Sequence, residues 1–343
     1  MRGASLIDTL VGLAVAMASL VIVHRAFLGV DTVRRNAVIV ADAQASGAFA
    51  LFTLASQIGN AGAGWASAAR WLDACPVVAD AAATLRPIDV LIGDGGAADR
   101  PDTLVVRQSF ARHMALPAAL ASAAPAGTAL RVESTDGFAV GDRIVAITRA
   151  GACVVTQVLA VATPIAGVVD ITPATVAIDL PVTTVLLNLG AAGRASTIRF
   201  DVVAQTLRST DLANGDAPVP LTSNVVNLKF QYGVDSDGDG ALDTWVPAGT
   251  SGPWSASALL AAPRTTLARI AAIRVGLIVR SDERDSQLRS SHDWVLFDCE
   301  RDDKSTCPGR LAGTVTATSA GAYRYRTVET IVPVPNVGWN AHE

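Results

Sequence analysis

From Ala4 to Val23 the chain runs twenty residues with one ionisable side chain, Asp8. As a helix rising about 1.5 Å per residue, such a run covers roughly 30 Å, the thickness of a bilayer's hydrocarbon core. The segment must therefore lie in lipid or among other apolar helices. A carboxylate in that setting costs on the order of 2.5–3.5 kcal/mol at the membrane centre and less near an end. Asp8 needs a counter-charge, and an acid so placed is a candidate functional residue. A secretory signal peptide is the competing reading of residues 1–27, with Ala14-Val15-Ala16 and Ala16-Met17-Ala18 as small-residue cleavage patterns. Both lie inside the apolar run rather than after it, and Asp8 falls where a signal peptide does not favour an acid.

The helix continues past the membrane-length run. No proline occurs between Ala4 and Asn60. Val38, Ala41, Ala45, Phe49 and Phe52 recur at helical spacing, and Leu51, Leu54 and Ile58 widen that face. Gly59-Asn60-Ala61-Gly62 supplies a stop. One helix over 4–60, membrane-spanning to about residue 27, would bury its first half among neighbours and pack the Val38–Ile58 face on its own domain. An anchor followed by a separate helix is the alternative.

Beyond residue 61 the pattern changes. Asp102–Arg107, Asp142–Thr148, Cys153–Val158, Val182–Leu187, Thr197–Val203, Val226–Tyr232, Ile270–Arg280 and Tyr323–Ile331 are rich in Val, Ile or Thr and read as strands. Short turns between them, without helical periods, indicate an antiparallel sheet and an α+β class. Residues 111–128, Ala-rich with Pro117 and Pro125, read as a loop or short helix, and no linker divides 61–343. The net charge of −4 and the lack of a basic run interleaved with aromatics argue against nucleic acid as a partner.

Two further patterns carry chemistry. In Asp235-Ser236-Asp237-Gly238-Asp239-Gly240-Ala241-Leu242-Asp243 the acids at positions 1, 3 and 5 can converge where a glycine turns the chain at position 6. Asp235, Asp237 and Asp239, the carbonyl of Ala241, and Asp243 form a candidate calcium site. Val246 stands where an EF-hand has Glu, so the loop is shorter than that motif. An affinity of about 0.1–1 mM would suit an extracellular module. A metal-free Asp-Gly hairpin turn is the alternative. Four cysteines fit two disulfides in an oxidising compartment or four thiols in a reducing one. Cys299 with Cys307 would close a small loop worth about 2.5 kcal/mol by loop entropy, leaving Cys75 and Cys153. His292 beside Asp293 reads as a solvated or structural histidine. No nucleophile elbow, Walker loop or HExxH motif is present, so no enzyme is expected.

Met1-Arg2-Gly3, the small-Leu-Ile run Ser5-Leu6-Ile7 and Asp8 together resemble the amino terminus of a type IV prepilin. Ala4 replaces the usual Phe after the cut and Asp8 the usual Glu. Asp102-Thr103-Leu104-Val105-Val106, Gln231-Tyr232-Gly233-Val234 leading into the Asp loop, Ile270–Arg280, and Tyr323-Arg324-Tyr325-Arg326 are similar to the PilW family of minor pilins. The resemblance implies a type IV pilin-like fold, with a leader at 1–3, a helix at 4–60 and a β-rich extracytoplasmic domain at 61–343. It implies cleavage after Gly3 by a prepilin peptidase, methylation of Ala4, and pairing of Asp8 with an Ala4 amine during assembly. Implied partners are other minor pilins, the major pilin and a tip adhesin. The implied location is the inner membrane first and the extracellular pilus afterwards. PilW-like proteins resemble J-type pseudopilins of type II secretion, so that machine remains open. A membrane-anchored hydrolase and an anchored calcium-binding adhesion module are the rivals from other classes.

Overall fold

A computed structural model describes residues 6–63, 78–80, 83–85, 88–97, 99–108, 117–134, 137–150, 152–191, 196–212, 216–283, 293–297, 311–314 and 323–335. Helix α1 is a single element, Leu6–Gly59. Its 54 residues span roughly 80 Å. Within it Thr9–Phe27 is long and apolar enough to cross a membrane, and none of that span is buried against the rest of the chain. The turn after Gly59 is fixed by backbone N–H groups of Asn60, Ala61 and Ala63 donating to Ser56, Ile58 and Asn60 carbonyls.

The second half of α1 packs on the domain by only part of the expected face: Leu54 and Ile58 are buried and Leu51 packs against the core, while the stripe from Val38 to Phe52 is turned away. Val38, Ala41, Ala45, Phe49 and Phe52 point outward; Val38 is 53% exposed, Phe49 50% and Phe52 74%. The buried ridge is Ala43, Gly47, Ala50, Leu54 and Ile58, with Ala61 just beyond the helix. Both sets recur every three or four residues, so periodicity alone could not choose between them. Close approach decides the inner one. A Cβ on Gly47 would lie 3.1 Å from Val328 Cγ2 and 3.4 Å from Val279 Cγ2. Small residues let the helix backbone settle onto the sheet there, and Leu54 and Ile58 fill the wider end.

The strands follow in chain order: β1 Val78–Asp80, β2 Ala83–Leu85, β3 Val90–Gly93, β4 Thr103–Gln108, β5 Ala118–Ala119, β6 Leu130–Val132 and β7 Asp142–Ile147. After them come β8 Cys153–Val161, β9 Val169–Pro173, β10 Val185–Ala191, β11 Ser196–Val203, β12 Thr206–Asp211 and β13 Val219–Ser223. The last are β14 Val225–Val234, β15 Thr244–Pro247, β16 Ile270–Arg280, β17 Asp293–Leu296, β18 Leu311–Thr314 and β19 Tyr325–Pro333. Two short helices, Ala256–Ala261 and Arg264–Leu267, precede β16. Ser255 caps the first of these, its Oγ accepting from the Ala258 N–H.

Two antiparallel sheets share one core with α1. One has the order β13-β12-β11-β4-β3 and the other β15-β14-β16-β19. Leu104, Val106 and Phe200 of the first meet Leu228, Phe230, Val275 and Leu277 of the second, and α1 adds Leu54 and Ile58. Polar contacts register the sheets as well. The Ile92 N–H donates to Tyr232 Oη at 2.6 Å. Lys229, fully buried, donates to Asp102 at 2.8 Å and to the Ala97 carbonyl at 3.0 Å.

Between β4 and β11 the chain makes a second unit. Its sheet order is β5-β10-β7-β8-β9-β6. The outer strands also meet: the Ala121 N–H donates to the Arg131 carbonyl and the Glu133 N–H to the Ala119 carbonyl, while Leu120 pairs with Val132. The sheet is thus closed into a barrel with its own core, including Leu120, Leu130, Val132, Ile144, Val158 and Ile171. Of 111–128, the described residues 117–128 are mostly loop as expected, but Ala118–Ala119 form β5 and Leu120 and Ala124 make isolated bridges. Closing a six-stranded sheet consumes the short apolar runs there as paired backbone.

Candidate functional site

Among the described residues two features stand outside the cores: the outer face of α1, and the acidic hairpin between β14 and β15. Strand β14 is buried along nearly its whole length. It delivers Asp235 to the domain edge, where the Asp235 N–H donates to the Arg269 carbonyl and the Asp243 N–H donates back to the Val234 carbonyl. Within this clamp the nine residues fold on their own carboxylates. Asp235 Oδ1 accepts from the Gly238 N–H at 2.6 Å and Oδ2 from the Gly240 N–H at 2.8 Å. Asp237 accepts from the Asp239 N–H, and Asp239 from the Ala241 N–H. Gly238 and Gly240 take φ of 85° and 87°, left-handed values that favour glycine over other residues.

This wrapping brings Asp235, Asp237 and Asp239 together, with one carboxylate oxygen from each within 4.8 Å of the others. Asp235 is buried and the other two are exposed. Asp243 stands apart from the trio: its Oδ2 accepts from both the N–H and the Oγ–H of Ser236, at 2.7 and 2.6 Å. The Ala241 N–H is committed to Asp239, leaving its carbonyl as that residue's backbone donor to a cation. Burial raises the Asp235 carboxyl, but the N–H groups of Gly238 and Gly240 outweigh it and hold the group below its ordinary value. The Ser236 side chain and N–H hold the Asp243 carboxyl down likewise. Each carboxylate oxygen carries two lone pairs, so accepting one N–H leaves room for a hard cation. The donor set suits calcium. The same hydrogen bonds also give every acid a structural task within the turn.

Gly3 and Ala4 lie outside the described residues. Asp8 lies on α1, two residues from its start. Cys153 begins β8 on the barrel and is disulfide-bonded. Cys75, Cys299 and Cys307 lie outside the described residues, as does His292. Sequence reasoning missed the outward set of α1 as a surface. The signal was present in Phe49 and Phe52, which are too large for the close contact that Gly47 and Ala50 make.

The architecture is a membrane-length amino-terminal helix whose second half lies on antiparallel sheets. Residues 194–336 match the family model of PilW, the Type IV Pilus-assembly protein W. That segment begins just after the barrel and runs from β11 through β19. Among solved structures the chain is similar to a type IV-like pilin from Thermus thermophilus. The two are 13% identical, the alignment covers 58% of this chain and 86% of that one, and the TM-score is 0.23. No curated protein matches the chain.

Proposed function

We propose that this chain is a minor pilin, a structural subunit that helps start type IV pilus assembly and stands at the fibre tip. The observation that carries this reading is the apolar exterior of α1. It covers Thr9–Phe27 and, after a stretch carrying Asp31, Arg34, Arg35 and Asn36, resumes in Val38, Ala41, Ala45, Phe49 and Phe52. In the membrane the first part faces lipid. Outside it, exposed phenylalanines on a helix gain by burial, on the order of 1.5–3 kcal/mol each. The occupant of this face is the corresponding helix of a neighbouring pilus subunit, because the stripe lies on the same helix as the segment that must lie among apolar helices. The family match over 194–336 supports the same machine.

In this reading a prepilin peptidase cuts after Gly3 and Ala4 is methylated. Asp8 then pairs with the Ala4 amine, offsetting two charges in an apolar setting. The acidic hairpin holds calcium through Asp235, Asp237, Asp239 and the Ala241 carbonyl, with Asp243 bracing the turn through Ser236. The metal would stiffen the hairpin and perform no chemistry. Cys153 pairs with Cys75, and Cys299 with Cys307. Mass analysis of the mature amino terminus, taken from sheared fibres, tests the reading. A start at methylated Ala4 is expected. A start at Met1, or a cut after Ala16 or Ala18, would contradict it.

A further inference from the structure

Strands β4 and β11 are hydrogen-bonded neighbours, with Gln108 directly opposite Ser196. The intervening chain makes the closed barrel, whose core is separate from the one beneath α1. The barrel is therefore an insertion into what would otherwise be a hairpin. Its place of attachment is specific. Gln108 Nε2 donates to Gln57 Oε1 at 2.7 Å, and the Gly62 N–H donates to the Arg107 carbonyl at 2.8 Å. Both contacts are at the carboxy-terminal end of α1. The opposite end of the domain meets the helix at Gly47, against Val279 and Val328. Gln57 lies ten residues, or about 15 Å, further from the membrane-length segment. The barrel is thus rooted at the pole remote from the anchor. A unit of about 75 residues has a radius of gyration of roughly 11 Å, comparable with the spacing of packed helices and more than a loop's bulk.

We propose that this barrel is a steric cap. The inference rests on the pilus-subunit reading. Copies stacked with parallel helices bring each remote pole up to the underside of the next domain. The barrel fills that space, so nothing stacks above this chain, while the outer face of α1 still takes neighbours beside and below it. The chain is then confined to the end of a fibre by its own bulk.

The test replaces residues 109–195 by Asn-Gly, which joins Gln108 to Ser196 as a two-residue hairpin loop. The shortened chain is expressed in piliated cells lacking the native copy, and sheared fibres are labelled with immunogold. The native chain should label one end of each fibre, and the shortened chain should label along the length. A second variant carries an unrelated compact module of similar size, with adjacent termini, in place of the barrel; it should restore end-only labelling. The cap is overturned if the shortened chain stays at the end, if the native chain labels the shaft, or if the module-bearing chain accumulates but is excluded or spread along the shaft. If neither variant accumulates in cells, the barrel is not separable and the proposal falls. Fibres without gold from the native chain would sink the pilus-subunit reading itself, a result distinct from these.

Discussion

The two long faces of α1 between Val38 and Ile58 are both apolar, and they do opposite things. The inner one, Ala43, Gly47, Ala50, Leu54 and Ile58, is buried against the domain's own sheets. The outer one, Val38, Ala41, Ala45, Phe49 and Phe52, carries the larger aromatic side chains and covers nothing in its own chain among the described residues. Burial in one's own fold selects for shape. Where the helix must approach a sheet closely, glycine and alanine are the residues that fit. A face kept for another chain is free to carry bulk.

The contrast can be broken most sharply at Leu54. It is fully buried in the shared core. Leu54→Ala should therefore destabilise the domain by about 2–5 kcal/mol, read as a lowered midpoint in denaturant of the full chain in detergent. A loss below about 0.5 kcal/mol would mean that the inner ridge is not the packed face. Two residues away, Phe52→Ala removes a larger side chain and should change stability by less than about 0.5 kcal/mol in the same measurement, because its ring is already in solvent. A large loss there would show that the outer face is covered by this chain.

The acidic hairpin should give the smallest effect, and it shows what satisfied surface acids contribute. The carboxyls of Asp235 and Asp243 sit below their ordinary value of 3.8 in the folded chain. Unfolded, they would take up protons first as pH falls. Their contribution is therefore complete above that ordinary value and is lost as pH drops through the folded values. The amide signals of Ser236, Gly238 and Gly240 should stay fixed down to about pH 4 and move together below it. Titration of those signals near neutral pH would contradict the hydrogen bonding described here.

How far the sequence foretold this molecule follows from which interactions are local. The helix was legible in its two halves, an apolar run and a proline-free amphipathic stretch, but composition alone left an anchor with a separate helix equally open, and the structure has one element. The longer strands, such as Ile270–Arg280, announced themselves by β-branched residues, and β16 matches that expectation end to end. The acidic trio was legible because Asp and Gly alternate within nine residues. Two things were not. The facing of α1 depends on which sheet approaches it, and Val328 lies some 280 residues away from Gly47 in the chain. The barrel depends on a seam between Ala119–Ala121 and Arg131–Glu133, made of backbone bonds that side-chain patterns do not encode. Strands as short as β5 and β6 carry almost no periodic signal of their own.

The account's central claim is that the outer face of α1 belongs to another subunit. Phe49→Asp combined with Phe52→Asp tests it most directly, with incorporation into sheared fibres measured beside the thermal midpoint of the full chain in detergent. A chain that melts as the unaltered one does, yet is absent from fibres, is the predicted result. Incorporation equal to that of the unaltered chain would contradict the claim.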